Sequence, residues 1–229
     1  MIGKTISHYK IQEKLGEGGM GEVYKADDIK LNRPVALKFL PLSVSADQKA
    51  KKRFLLEAQA ASALDHPNIC NIHEIGETVD GQMYIVMACY EGETLKNKIK
   101  GGPLNIEESI DIASQIAVGL SAAHCHNIIH RDIKSANIFV TNEGVVKILD
   151  FGLAKLSGQV DLTKTGTTIG TIAYLSPEQA KGEEVDHRTD IWSLGVVMYE
   201  MLTGQLPFKG DYEQSVMYSI INEKPEPLT

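Results

Sequence analysis

The sequence predicts an α+β protein of two lobes, a small antiparallel β-sheet with one helix followed by a mainly α-helical half. Three observations predict it. Up to about Ala88 the residues alternate apolar and polar between turn signals, the period of a half-buried strand. One stretch inside that region, residues 47–64, has helical spacing instead. From Thr94 onward the apolar positions recur at helical intervals.

Taken in order, strands are expected near 9–16, 21–28, 33–40, 71–77 and 82–88. The helix between the third and fourth strands puts Phe54, Ala58 and Ala61 on one face. Glu57 falls on that same face, and a carboxylate directed inward needs a partner. Residues 88–93, polar-flanked and ending near Gly92, read as the connector, which divides the chain into residues 9–88, a hinge at 89–93 and residues 94–229. In the second half Ile106, Ile110, Ala113, Ala117, Leu120 and His124 mark one long helix, and Ile191, Leu194, Met198 and Leu202 mark another. No internal repeat or low-complexity run interrupts either half.

Composition sets outer bounds. The 229 residues suffice for one large domain or two small lobes. A net charge of −7 argues against nucleic acid or an anionic membrane as the main partner. The three cysteines, Cys70, Cys89 and Cys125, lack the short paired spacings of a zinc or redox site and read as reduced thiols. No apolar run reaches the length of a membrane span, and Met1-Ile2-Gly3-Lys4 lacks the apolar core of a signal peptide. A soluble, cytoplasmic chain is expected.

The chemistry concentrates in His130-Arg131-Asp132-Ile133-Lys134-Ser135-Ala136-Asn137, followed thirteen residues after Asn137 by Asp150-Phe151-Gly152. Two carboxylates, a lysine and an amide in so short a polar segment suit the grip of metal-bound phosphates. Phosphoryl transfer spreads negative charge over oxygens, so a protein must supply cations, metal-holding oxygens and an acceptor for the hydroxyl proton. Asp132 is the candidate acceptor and Lys134 the candidate cation, while Asn137 and Asp150 offer oxygens to magnesium.

Upstream, Leu15-Gly16-Glu17-Gly18-Gly19-Met20-Gly21-Glu22-Val23 contains G-x-G-x-x-G-x-V, whose glycines let backbone approach phosphate closely. Alone this is a weak signal. A dinucleotide-binding turn would open a helix, yet Val23-Tyr24-Lys25-Ala26 reads as a strand, and Ala36, twenty residues after Gly16, is no ribose-binding acid. No Gly-Lys-Ser/Thr ends the loop, which excludes a Walker loop. Val35-Ala36-Leu37-Lys38 then sets a lysine inside an apolar strand. A snorkelling edge lysine is the bland alternative, and Glu57, which needs a cation, favours a paired one.

In combination these elements resemble a protein kinase, and Gly-Gly-Met-Gly-Glu-Val-Tyr, Tyr-Leu-Ser-Pro-Glu-Gln-Ala and Met-Leu-Thr-Gly-Gln-Leu-Pro-Phe are similar to the bacterial serine/threonine kinases of eukaryotic (Hanks) type. The likeness runs from Tyr9 to about Asn222. It implies the bilobal kinase fold, ATP with magnesium or manganese, and protein substrates with serine or threonine acceptors. On this resemblance Leu15, Gly16, Glu17, Gly18, Gly19, Met20 and Gly21 cover the nucleotide. Lys38 holds the α- and β-phosphates and pairs with Glu57. Val23 and Ala36 roof the adenine, Phe139 floors it, Met87 is the gatekeeper, and the Ala88 carbonyl and Tyr90 amide meet its edge. Ala88-Cys89 stands where relatives commonly carry Glu-Tyr, a departure expected to alter ribose-side packing more than adenine binding.

On the substrate side the resemblance makes Asp132 the base. Lys134 in D-x-K-x-x-N indicates serine/threonine acceptors, and Thr171 in Gly170-Thr171-Ile172-Ala173-Tyr174 bridges Asp132 and Lys134. Leu153 mildly favours serine, and Ser176-Pro177-Glu178 replaces the usual A-P-E. Asp190, in D-x-W-S-x-G, holds the catalytic-loop backbone. Thr163 and Thr165 match the pair that bacterial relatives autophosphorylate, with Arg131 as the expected phosphate partner. Such relatives often pair as homodimers to activate in trans.

The family also runs through two further helices with an arginine for Glu178, so the helical lobe is expected to be truncated here and less stable for it. Lys38, Asp132, Asn137 and Asp150 are all present, which favours an active enzyme over a catalytically impaired scaffold or nucleotide-binding module. The stretch from Gly152 to Glu178 resembles a protein-substrate platform more than that of a small-molecule kinase.

Overall fold

Alternation of side chains is the organising feature of the N-terminal part. The structure, a computed structural model, describes residues 1–18, 21–151 and 169–228, and its chain divides into two units. The first comprises Met1–Asp65 and Cys70–Tyr90, the second His66–Ile69 and Glu91–Thr229.

In the first unit, strands β1 (Thr5–Ile6), β2 (Tyr9–Gly18), β3 (Gly21–Asp28), β4 (Arg33–Phe39), β5 (Ile72–Glu77) and β6 (Met83–Ala88) form one antiparallel sheet, ordered β1-β2-β3-β4-β6-β5. The five expected strands are all there within about two residues; only the two-residue β1 was not foreseen. One face of the sheet is a packed cluster of Tyr9, Ile11, Tyr24, Ala26, Val35, Leu37, Phe39, Tyr84 and Val86. Because side chains alternate, Val23, Ala36, Lys38 and Met87 stand on the opposite face. Register brings them together, with Val23 opposite Lys38 and Ala36 opposite Met87.

Short helix α1 (Leu42–Ala46) precedes α2 (Gln48–Ser62). The Asp47 carboxylate caps α2, accepting from the amides of Lys49 at 2.8 Å and Ala50 at 3.4 Å. Phe54, Ala58 and Ala61 are buried on the expected face, with Glu57 half-buried between them.

The second unit contains α3 (Leu95–Lys100), α4 (Ile106–Cys125), α5 (Ile169–Ile172), α6 (Pro177–Lys181), α7 (Arg188–Thr203) and α8 (Glu213–Asn222). It also contains a three-stranded antiparallel sheet that helical spacing did not announce, formed by β7 (Gly92–Thr94), β8 (Ile138–Thr141) and β9 (Val146–Ile148). Asn105 caps α4 by accepting from the Glu108 amide at 2.8 Å.

Both long helices are where they were expected, though only some of the residues that marked them are buried. On α4 the buried residues are Ser109, Ile112, Ala113, Ile116, Gly119, Leu120 and Ala123, while Ile106 and Ile110 are 64% and 54% exposed and Ala117 lies at the surface. On α7 the buried set is Thr189, Asp190, Ser193, Val196, Val197 and Met201, and Ile191 faces outward. Apolar residues on both sides of each helix give two candidate stripes. The inward stripe also carries small residues whose close packing an apolar count ignores. Gly119 is such a case, since a Cβ there would meet Ile148 Cδ1 at 2.8 Å.

His66–Ile69 joins the second unit because Asn68 Nδ2 donates to Gln115 Oε1 at 3.0 Å and to the Val146 carbonyl at 3.1 Å. Among the described residues no helix is long and apolar enough to cross a membrane.

Candidate active site

The polar segment 130–137 hangs from one buried carboxylate. Asp190, fully buried near the start of α7, accepts the amide of His130 at 2.8 Å and that of Arg131 at 2.7 Å, and His124 Nε2 donates to it at 2.8 Å. Three donors on two oxygens satisfy a buried charge that would otherwise be costly. His130, also fully buried, contacts the Leu149 carbonyl at 2.8 Å through Nε2, and its ring meets Phe151 edge-on with centroids 4.7 Å apart. Arg131 and Asp150 both adopt left-handed backbone, with φ of 65° and 58°. In non-glycine residues such conformations persist only where surrounding contacts over-determine them.

Within this frame Asp132, Lys134 and Asn137 converge. Lys134 Nζ lies 2.7 Å from Asp132 Oδ2. Asn137 Nδ2 donates to the same oxygen and to the Asp132 main-chain carbonyl, each at 2.9 Å. Ser135–Asn137 form a 3-10 turn that delivers the amide there, and the Asn137 carbonyl accepts the Leu149 amide at 2.8 Å, one residue before Asp150. With both amide hydrogens committed to Asp132, the Asn137 side-chain oxygen is the end turned away from it. An amide oxygen and the nearby Asp150 carboxylate are hard donors that, with phosphate oxygens, make up an ordinary magnesium ligand set. Among the described residues no three His, Cys, Asp or Glu side chains gather into a metal cluster of their own.

Thr171 is not joined to the pair in the expected way. It sits in the short α5, and among the described residues its side chain makes no hydrogen bond to Asp132 or Lys134; those two close directly on each other.

Three further groups escaped the sequence reading. Tyr174 OH donates to Glu200 Oε2 at 2.6 Å and lies 2.9 Å from Ser135 Oγ, which itself donates to Glu200 Oε1 at 3.2 Å. Burial and the Glu200 charge push the Tyr174 phenol well above its usual range. Gln179 Nε2 donates to the Arg131 carbonyl at 3.0 Å. The only prior sign of it was the S-x-x-Q spacing of Ser176 and Gln179, a capping box with proline in the first turn. The His124 contact with Asp190 carried no signal at all, because a histidine at helical spacing reads as core.

In the first unit Val23, Ala36, Lys38 and Met87 of the expected nucleotide residues share one sheet face, and Ala88 and Tyr90 follow at the end of β6. Lys38 is 3% exposed, Ala36 and Met87 are buried, and Val23, Ala88 and Tyr90 are half-buried. Burial and the nearby Cys70 push the Tyr90 phenol up to about 12. The Ala88 amide donates to the Asn71 carbonyl at 3.0 Å, and the Cys70 thiol donates to the Ala88 carbonyl at 3.9 Å.

The glycine segment is a β2–β3 hairpin, not a helix start, with Gly18 opposite Gly21. Leu15 is exposed, Gly16 is half-buried and Glu17 is held at the surface by Lys14 at 2.6 Å. Gly21 has φ of 112°, and a Cβ there would fall 1.8 Å from the Phe39 carbonyl oxygen. Phe139 lies half-buried on β8 of the second unit. Gly19, Met20, Leu153, Thr163 and Thr165 lie outside the described residues.

The strand-rich first unit and the mainly helical second unit, with this polar loop, have the composition of a protein-kinase domain. The family described as protein kinase domain matches residues 9–228, and the chain belongs to it. It is 44% identical over 218 residues to the serine/threonine-protein kinase PrkC of Bacillus subtilis, covering 94% of this chain and 34% of that protein. Against the serine/threonine-protein kinase PknB of Mycobacterium leprae the identity is 43% over 224 residues, covering 96% and 36%. The crystal structure of the Mycobacterium tuberculosis PknI kinase domain superposes with a TM-score of 0.75 at 28% identity, covering 90% of this chain and 79% of that one. The chain spans about a third of the length of the curated relatives it matches.

Proposed function

We propose that the chain transfers the γ-phosphoryl group of magnesium-ATP to serine and threonine hydroxyls of proteins. The observation that carries this is the convergence of Lys134 and Asn137 on Asp132, in a loop suspended from buried Asp190. Asp132 takes or orients the proton of the attacking hydroxyl, and Lys134 neutralises charge on the transferring phosphate. Asn137 and Asp150 hold magnesium, or manganese in its place, and the metal supplies charge neutralisation on the phosphate oxygens.

Lys38 binds the α- and β-phosphates with Glu57 as its partner. Leu15 to Gly21 cover the phosphates, and Val23, Ala36, Met87, Ala88, Tyr90 and Phe139 take the adenine. Thr171 belongs to the acceptor side. Autophosphorylation of Thr163 and Thr165, one copy acting on another in a homodimer, gives Arg131 a phosphate partner and switches the enzyme on. The domain works in the cytoplasm, on protein substrates rather than nucleic acid or lipid.

Intact mass after incubation with ATP and magnesium, beside Asp132→Asn and followed by peptide mapping, tests the reading. Added phosphate on the parent but not the variant is expected, mapping to residues 160–170. Equal labelling of both chains would refute Asp132 as the base, and labelling only elsewhere would refute the switch.

A further inference from the structure

We infer that Gln179 is a positioning residue for Asp132, acting through the main chain of Arg131; the inference rests on the kinase reading above. Gln179 is 3% exposed, and both ends of its amide are used. Oε1 accepts the Ser176 amide at 3.1 Å, closing the capping box of α6. Nε2 donates to the Arg131 carbonyl at 3.0 Å.

That carbonyl belongs to the peptide unit that begins Asp132. The Asp132 amide, on the other side of the same plane, donates to His130 Nδ1 at 3.2 Å. The preceding peptide is fixed by Asp190, which accepts the Arg131 amide at 2.7 Å. The two planes meet at Arg131, whose φ of 65° is a conformation that the chain does not hold without restraint. Asp190 on α7 therefore grips one side of this strained residue and Gln179 on α6 the other. The two grips share an anchor, since Ser176 Oγ lies 2.6 Å from the hydroxyl of Thr189, the neighbour of Asp190. Turning the second plane would swing Asp132 away from Lys134 and Asn137. The orientation of α6 is thus transmitted to the carboxylate by one hydrogen bond, and Gln179 touches no reacting atom itself.

Capping and positioning make different demands on the side chain. The cap needs only an acceptor, which glutamate supplies as well as glutamine. The contact with Arg131 needs a donor, which ionised glutamate lacks. Gln179→Glu keeps the cap and removes the grip, and Gln179→Met, of similar shape, removes both without adding charge.

The test is steady-state peptide phosphorylation by the parent chain, both variants and Asp132→Asn, with melting temperature and circular dichroism measured on each. Expected is a fall in kcat of about tenfold to a hundredfold in each folded variant, with the KM values for ATP and peptide within about twofold of the parent, since substrate contacts are untouched. A folded variant that keeps the parent's kcat overturns the inference while leaving the kinase reading intact. So does a loss that only follows the folded fraction, which is what a purely structural glutamine would give. A parent chain as inert as Asp132→Asn overturns the kinase reading, and the inference with it.

Discussion

Asn137 Nδ2 donates to both the carboxylate and the main-chain oxygen of Asp132, each at 2.9 Å. The expected metal ligand is therefore also the clamp on the expected base, and the two roles can be separated. Asn137→Asp keeps an oxygen for magnesium but replaces the donor with a second carboxylate beside Asp132. Like charges so close raise the apparent pKa of the pair. Phosphorylation at neutral pH should fall by about tenfold or more and recover in part as pH rises, because the raised pKa leaves less carboxylate at low pH. A pH–rate profile of the variant with the slope of the parent would count against the clamp.

Asp190 carries the loop's backbone, and its loss should register as stability before activity is assayed. Asp190→Asn leaves one acceptor oxygen for three donors and turns an amide toward backbone N–H groups. At about 1–3 kcal/mol for each buried donor left unpaired, a loss of about 2–4 kcal/mol is expected in urea unfolding followed by circular dichroism. Loss below about 1 kcal/mol would mean that the loop is held mainly by other contacts.

These two networks mark the boundary of what the sequence makes legible. Strands β2 to β6 follow from alternation, because burial of one sheet face imposes a period of two that Val35, Leu37 and Phe39 display openly. Asp132, Lys134, Asn137 and Asp150 are legible because they lie close along the chain. Gln179 and Arg131, or Tyr174 and Ser135, are 48 and 39 residues apart and meet only through tertiary packing. Which face of α4 and α7 turns inward is not legible for a related reason. Ile106 and Ile191 look like core by composition, whereas the inward faces include Gly119, packed against Ile148, and Ser193, which donates to the Tyr174 carbonyl, contacts that have no local signature.

The glycines of the β2–β3 hairpin are expected to divide by cause. At Gly21 an added Cβ would lie 1.8 Å from the Phe39 carbonyl oxygen on a backbone with φ of 112°, so Gly21→Ala should destabilise the chain by about 3 kcal/mol. At Gly18 a Cβ meets nothing within 4 Å. Gly18→Ala should leave the melting temperature within about two degrees of the parent and instead raise the KM for ATP, if the open space there admits phosphate. Paired thermal melts and ATP titrations of the two variants separate the cases; equal loss of stability in both would reject the division.

Asp28 gives the first unit a pH dependence of known sign. Its side chain is 1% exposed. Burial alone would raise its pKa, but the amides of Leu31 and Lys30, each donating to Oδ1 at 3.0 Å, outweigh that, with His8 and Arg33 each 3.6 Å away, and hold the carboxyl below its usual value. A carboxyl whose pKa is depressed on folding adds stability that is complete above its unfolded pKa of about 4 and is lost as pH falls through the lower folded value. Asp28→Asn cannot titrate, and its amide can still accept at the turn. The melting temperature of the parent should therefore exceed that of Asp28→Asn at pH 7, and the gap should narrow progressively below about pH 4. A gap that stays constant from about pH 7 to about pH 3 would show that Asp28 acts through shape alone, and one that widens on acidification would reverse the assigned sign of its charge interactions.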